Sequence, residues 1–325
     1  MASSIRERLI EQLAAGHFVS GQVIGATLGI SRAAISKHIK ALEEMGIDVF
    51  RVTGKGYRLA EPLQLLDKQI IANYCANVCS ANKIEVHSVI DSTNTFLLRR
   101  IPNQVQKGQV CVAEFQSAGR GRRGRTWVSP FGSHIYFSMY WYLEQGMAAA
   151  MGLNVVVALA ISDAIHNLYQ LEAQLKWPND IYLNDKKLAG ILIELEGQAL
   201  EPCHSVIGIG LNVNMPAQMA EKIDQPWSDI QSNINQTVDR NQLVGELITC
   251  LNKRLIEHEE SGISSMVDDW LDRDKYLHQR VTLISGTKET TGICRGINAQ
   301  GALLLEQQGV VKPIYGGEIS LRPAQ

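Results

Sequence analysis

At 325 residues the chain is too long for one typical domain, and its 45% hydrophobic and 20% charged residues exclude a disordered or fibrous protein. The net charge of -2 excludes a chain that is basic throughout, but residues 1–61 carry eight Lys/Arg against six Asp/Glu, leaving 23 against 27 for the rest, so the N-terminal part is the better candidate for a nucleic-acid contact. Apolar runs such as 155–161 fall far short of the roughly 20 residues that span a bilayer, the N-terminus carries no apolar signal core, and the six cysteines form no CxxC pairs; a cytoplasmic protein without membrane contact is expected.

In chain order, Ile5, Leu9 and Leu13 recur at helical spacing, and Ser20 is placed to cap a second short helix over Gly21–Leu28. Gly29 breaks the chain, and Ser31 can cap a third helix over 32–45 with Ile35, Ile39 and Leu42 on its apolar face. Arg32, Ser36, Lys37 and Lys40 fall on the other side. Two short strands around Thr53-Gly54-Lys55-Gly56 complete the pattern of a winged helix-turn-helix, ending near Glu61-Pro62. Such a module either binds DNA, with the third helix in a major groove and Arg51 and Lys55 of the wing at the backbone, or docks another protein. Cys75 and Cys79 lie one helical turn apart, but no nearby His or second pair supports a metal site.

A strand is expected over 84–90, followed by Asp91-Ser92-Thr93-Asn94, whose hydroxyls and amide either cap the helix over 95–100 or bind a polar head group. An apolar lead-in at 110–113 then delivers Gly119-Arg120-Gly121-Arg122-Arg123-Gly124-Arg125, closed by Thr126 and Trp127. Glycines that accept unusual dihedrals alternate with guanidinium forks, which suits a loop that grips phosphate or carboxylate; by composition alone it could also be a solvated, nucleic-acid-binding tract. The periodicities predict a strand over 135–142 and a long apolar helix over 148–169. Lys176-Trp177-Pro178-Asn179-Asp180 opens a hairpin that turns at 184–186 and returns through Lys187-Leu188-Ala189-Gly190. Its geometry brings Asp180 and Lys187 together, either as a surface ion pair or as two groups on one ligand. Along a strand, Gly208, Gly210, Asn212 and Asn214 would share one face, leaving room for a ligand beside two amides. A polar stretch over 225–236 reads as a surface loop, and Leu243, Leu247, Leu251 and Leu255 mark a helix over 239–260. The short strands 281–284, 292–296, 302–306 and 310–314 read as a small β-barrel.

Taken together, the motifs at 119–125, 176–180, 187–190, 208–212 and 316–322 make the chain similar, in order and over essentially its whole length, to biotin protein ligases of the bifunctional type, which also repress the biotin operon. The resemblance implies an α+β protein in three parts: a winged helix-turn-helix DNA-binding domain over 1–62, a central mixed α/β catalytic domain of the biotin/lipoate ligase type over 63–275, and an SH3-like β-barrel over 276–325. It implies formation of biotinyl-5'-adenylate from biotin and ATP with Mg²⁺, and transfer of biotin to a lysine of the biotin carboxyl carrier protein. No tightly bound structural metal is expected.

By the same resemblance, Lys187, Arg122 and Asp180 are the catalytic residues, with Arg122 and Lys187 at the biotin carboxylate and α-phosphate and Asp180 near Mg²⁺. Ser92, Thr93, Asn94, Gln116, Arg120 and Gly121 would join Arg122 and Lys187 around biotin. Trp127, Asn179 and Asn212 would meet the adenine, and Arg125 and Arg322 the phosphates. The family's glycine–arginine loop is ordered by ligand, which promotes a homodimer that binds operator DNA; the edge near 191–197 is the suspected dimer contact. Ile314-Tyr315 departs from the family's Trp at that point. Two other readings stay open: a transcription factor that senses a small acid without ligating it, and a lipoate ligase.

Overall fold

The computed structural model describes residues 4–197, 202–316 and 319–324. Gly317 and Glu318 of the expected C-terminal motif lie outside the described residues.

The N-terminal module consists of α1 (Ile5–Leu13), α2 (Gly21–Leu28) and α3 (Arg32–Glu44), followed by the antiparallel pair β1 (Val49–Val52) and β2 (Gly56–Leu59). Each helix starts at a serine, Ser4, Ser20 or Ser31, whose side chain accepts a backbone N–H three residues on. Gly29 closes α2 at φ 68°, a left-handed position that glycine takes without a Cβ penalty. Leu9, Leu13, Ile24, Ile35 and Leu42 meet in the core, so the amphipathic faces expected from the sequence are the ones buried.

The central unit follows through α4 (Lys68–Tyr74), β3 (Ile84–Ile90), α5 (Thr93–Leu98), β4 (Val110–Gln116), β5 (Ile135–Leu143), α6 (Leu153–Tyr169), β6 (Gln174–Lys176), β7 (Asp180–Leu183), β8 (Lys186–Glu196), β9 (Cys203–Leu211), α7 (Ala217–Ala220), α8 (Arg240–Ser261) and α9 (Val267–Leu271). One seven-stranded sheet runs β3-β4-β5-β9-β8-β7-β6, parallel between β3 and β4 and antiparallel elsewhere. Central β5 is covered on both faces, which accounts for its nearly unbroken apolar run.

The structure departs from several expectations. The helix expected over 148–169 begins at Leu153, because Gly152 at φ 78° separates it from a short 3-10 turn over Gly146–Ala150. Second, the stretch Gly146–Tyr169 is, by length and composition, long and apolar enough to cross a bilayer, contrary to the reading of the runs. Residues 155–161 within it are all buried and α6 packs against α8, so its apolarity is that of a core helix. Third, the stretch 225–236 lies mostly at the surface, as read, but residues 228–230 are buried and the stretch is pinned to the central unit. Lys187 N–H donates to Pro226 O at 3.1 Å, Ser228 N–H to Lys187 O at 2.9 Å and Gln231 N–H to Val213 O at 2.8 Å. Asp229, 2% exposed, accepts from the N–H groups of Met215 and Ser232. The helix after Ser92 also starts two residues earlier than expected.

The C-terminal unit contains β10 (Arg280–Ser285), β11 (Lys288–Ile297), β12 (Leu303–Gln307), β13 (Val310–Ile314) and β14 (Ile319–Pro323). They form one antiparallel sheet in the order β13-β12-β11-β10-β14, which places the start of β14 beside the central unit's cleft.

Candidate active site

A cleft with about 1050 Å³ of empty space, counted to its open mouth, lies between the glycine–arginine loop, the N-terminus of α5 and the strands β7, β8 and β9. Its floor is polar and uncharged. Gln116 Oε1 accepts from Thr93 N–H at 2.9 Å, and Ser138 Oγ lies 2.7 Å from Thr93 Oγ1 and 2.5 Å from Asn94 Oδ1. Ser92 both lines the cleft and caps α5, accepting from Thr95 N–H at 3.5 Å, so the two readings of that serine coexist.

The glycines of β9 serve this floor indirectly. A Cβ on Gly208 would lie 2.3 Å from Asn94 Oδ1, and one on Gly210 would lie 2.4 Å from the Trp127 ring. The room they leave is taken by Asn94 and Trp127, which then face the cleft. Gly190 on β8 also backs the indole, its Cβ position being 3.1 Å from Trp127.

Cations gather at the other end. Lys187 Nζ is 2.6 Å from Asp180 Oδ1 and 5.8 Å from the centre of the Trp127 ring, while Lys176 Nζ is 3.5 Å from Asp180 Oδ2. The expected Asp180–Lys187 pair is therefore present and faces the cleft. Arg122 Nη1 donates to Asn179 Oδ1 at 2.7 Å, and Asn179 Nδ2 donates to Ile191 O at 2.9 Å, tying the loop to β8. Arg120 Nη2 donates to Glu194 Oε2 at 2.9 Å and to Thr95 Oγ1 at 3.1 Å. The loop itself is a tight turn: Gly121 N–H donates to Arg125 O at 2.7 Å, and Arg123 and Gly124 take φ values of 57° and 68°. Burial, with Asp180 adding to it, raises the Tyr182 hydroxyl above its usual range, so Tyr182 stays a neutral acceptor for Lys176 at 3.2 Å.

The structure thus brings together Ser92, Thr93, Asn94, Gln116, Arg120, Gly121, Arg122, Arg125, Trp127, Asn179, Asp180 and Lys187. It does not bring Asn212 or Arg322 to the cleft lining. Asn212 lies just past β9, 4% exposed, and its Nδ2 donates to Ser228 O at 3.0 Å, because backbone carbonyls beyond a strand end need another donor. Arg322 is exposed on β14, while Ile319 and Ser320 of that strand do line the cleft. Sequence reasoning missed Glu194 and Gln225, and it took Lys176 and Ser320 only as members of the motifs at 176–180 and 316–322, with no site role of their own. In the N-terminal module Arg32, Lys37 and Lys40 are exposed on α3 opposite its buried face, and Arg51 and Lys55 are exposed on the wing. Ser36 Oγ lies 3.5 Å from Tyr57 OH of β2, which joins the helix face to the wing.

This fold and cleft, preceded by a helix-turn-helix, define the class of biotin/lipoate-type protein ligases that carry a DNA-binding module. Residues 86–212 match the Biotin/lipoate A/B protein ligase family, residues 5–58 an HTH domain and residues 276–322 the Biotin protein ligase C terminal domain. The bifunctional ligase/repressor BirA of Salmonella typhimurium is 49% identical over 98% of this chain and 97% of its own length, and that of Escherichia coli is 48% identical over the same shares. Among solved structures, the biotin protein ligase from Aquifex aeolicus in complex with biotin and ATP superposes with a TM-score of 0.64 at 27% identity, covering 74% of this chain and 99% of that one. The chain belongs to the biotin protein ligase family, in its bifunctional ligase/repressor branch.

Proposed function

We propose that the cleft joins biotin to ATP and passes the biotinyl group to a lysine of a biotin carboxyl carrier protein. One observation carries this reading: a neutral hydrogen-bonding floor and a cationic end share one cleft, as a ring that donates and accepts hydrogen bonds and bears a carboxylate tail requires. Thr93, Asn94, Gln116 and Arg120 face the ring, and Arg122 and Lys187 face the carboxylate. A carboxylate oxygen attacks the α-phosphorus, the bond to the bridging oxygen breaks, and pyrophosphate leaves. The two reacting groups are both anionic, so the protein's part is to hold cations where charge gathers. A neutral lysine amine of the carrier then attacks the acyl carbon, and AMP departs. Neither step calls for a covalent bond to the enzyme.

Trp127 and Asn179 stand on the nucleotide side, and Arg125 approaches the phosphates. Among the described residues Asp180 is the one carboxylate lining the cleft, and both its oxygens already face lysines. That donor set fits Mg²⁺ held mainly by the nucleotide's own phosphates and touched by Asp180, rather than a metal resident in the protein. Closure of the glycine–arginine loop over the acyl-adenylate would shield it from water.

With α3 in a major groove, the chain also acts as a repressor of biotin-synthesis genes, binding operator DNA as a dimer when adenylate accumulates. β8 offers a contact for that dimer: β7 pairs with it only as far as Gly190, so its outer edge beyond Ile191 is open to strand pairing. The free thiols of six buried cysteines suit the cytoplasm. Biotin-dependent exchange of labelled pyrophosphate into ATP, with lipoate as the control acid, tests the reading. Exchange with biotin alone is expected; exchange with lipoate, or with neither acid, would overturn it in favour of a lipoate ligase or an acid sensor.

A further inference from the structure

Phe131 belongs to the catalytic unit by sequence and to the DNA-binding module by packing. It is 2% exposed, and every other buried member of its apolar cluster lies between Leu9 and Leu59. Its backbone N–H donates to the carbonyl of Met45, the residue that ends α3, at 2.9 Å. Beside it, a Cβ on Gly46, whose φ is 87°, would stand 3.0 Å from Pro130 Cβ and 3.0 Å from Met219 Cγ, so the turn after α3 packs on Pro130 with no room for a side chain.

The same segment reaches the cleft at its other end. Ser129 Oγ donates to Trp127 O at 2.9 Å and lies 3.4 Å from Gln116 Nε2, and both Trp127 and Gln116 line the cleft. In the middle, Tyr136 OH donates to Pro130 O at 2.6 Å. The residues from Val128 to Pro130 include no glycine, and proline fixes its own φ, so a displacement at one end is carried to the other.

We propose that Phe131 is a positioning residue for the adenylation site: seated in the winged-helix core, it anchors the C-terminal end of the glycine–arginine loop and thereby sets Trp127. It touches neither substrate and acts through Ser129. The inference rests on the ligase reading and adds that the DNA-binding module shapes the nucleotide side of the cleft. By linkage, occupancy of the cleft biases the end of α3 through the same contact.

The test uses the full chain and the pyrophosphate exchange assay, on Phe131→Ala, Phe131→Leu and Gly46→Ala, each checked for a cooperative thermal transition. Phe131→Ala is expected to raise KM for ATP roughly tenfold or more while kcat moves far less, and Phe131→Leu to restore most of the loss. Gly46→Ala lies in the other module, at φ 87°, and presses on both Pro130 and Met219; where it keeps a cooperative transition it is expected to raise KM for ATP as well. An unmoved KM in folded Phe131→Ala, or a fall in kcat alone, overturns the inference. Should Phe131→Ala fail to fold, the smaller truncation Phe131→Val decides by the same criterion. Absence of exchange in the unsubstituted chain would overturn the ligase reading and this inference together; exchange there with unmoved KM in the variants overturns the inference alone.

Discussion

Lowering the pH from 7 to 4 is expected to cost the fold about 3 kcal/mol through one side chain, His134. It precedes β5 with 0% exposure; its Nδ1 accepts from Val213 N–H at 3.0 Å, and its Nε2 has no hydrogen-bond partner among the described residues. Burial pulls its pKa from 6.5 down to about 4. In the unfolded chain the ring regains its ordinary value, so between those limits the unfolded state binds the extra proton. Stability is therefore full above about 6.5, falls as the pH drops through that window, and levels off below about 4. The gap, at about 1.36 kcal/mol per pH unit, amounts to roughly 3 kcal/mol. Other groups titrate nearby: burial lowers His87 and acts in the same sense, whereas burial raises the Asp274 carboxyl and acts in the opposite one. The comparison is therefore with His134→Asn, whose amide oxygen can keep the bond from Val213. Urea titrations of both chains at several pH values between 7 and 4 yield the difference directly. If the two chains lose stability in parallel, His134 is not a neutral buried ring and the reasoning fails.

Lys187→Ala is expected to lower kcat for pyrophosphate exchange by roughly 100- to 1000-fold while leaving the thermal midpoint little changed, since Asp180 keeps Lys176 as a partner. Gly210→Ala places a Cβ 2.4 Å from the Trp127 ring, which must move; a destabilisation of about 1–3 kcal/mol and a raised KM for ATP are expected from denaturant titration and exchange kinetics. Arg240→Met leaves Glu114 charged in a site where both side chains are about 5% exposed or less; a loss of about 3–5 kcal/mol should appear in urea titrations. Arg51→Ala on the wing is expected to weaken operator binding and lower the slope of log affinity against log salt by about one, whatever the operator sequence.

What was legible in the sequence was local. Ser20 and Gly29 bracket α2 as read, the leucines from 243 to 255 line the buried face of α8, and β13 occupies 310–314, because caps and periodic faces depend on neighbours within a few residues. The Asp180–Lys187 pair was legible for the same reason, as two ends of one hairpin. What the chain order hid was the meeting of segments. β9 inserts between β5 and β8 in the sheet, and only then do Gly208 and Gly210 come beneath Asn94 and Trp127. As a sequence pattern they looked like space for a ligand.

The anchoring of the surface stretch 225–236 was hidden for a related reason. Its order comes from single bridges to Lys187, Asn212 and Val213 and from one buried carboxylate, none of which repeats with a helical or strand period. Periodicity reports burial only when one element presents a continuous face. Where a segment is fixed by isolated bonds to distant chain, a polar composition is compatible with a rigid position, provided each polar group finds a partner. Asp229 meets that condition with two backbone donors, and Lys187 is its beneficiary. The backbone of Lys187 is bonded on both its N–H and C=O sides to 226–228, so the stretch holds the base of the side chain whose ammonium, in the proposed reaction, faces the carboxylate.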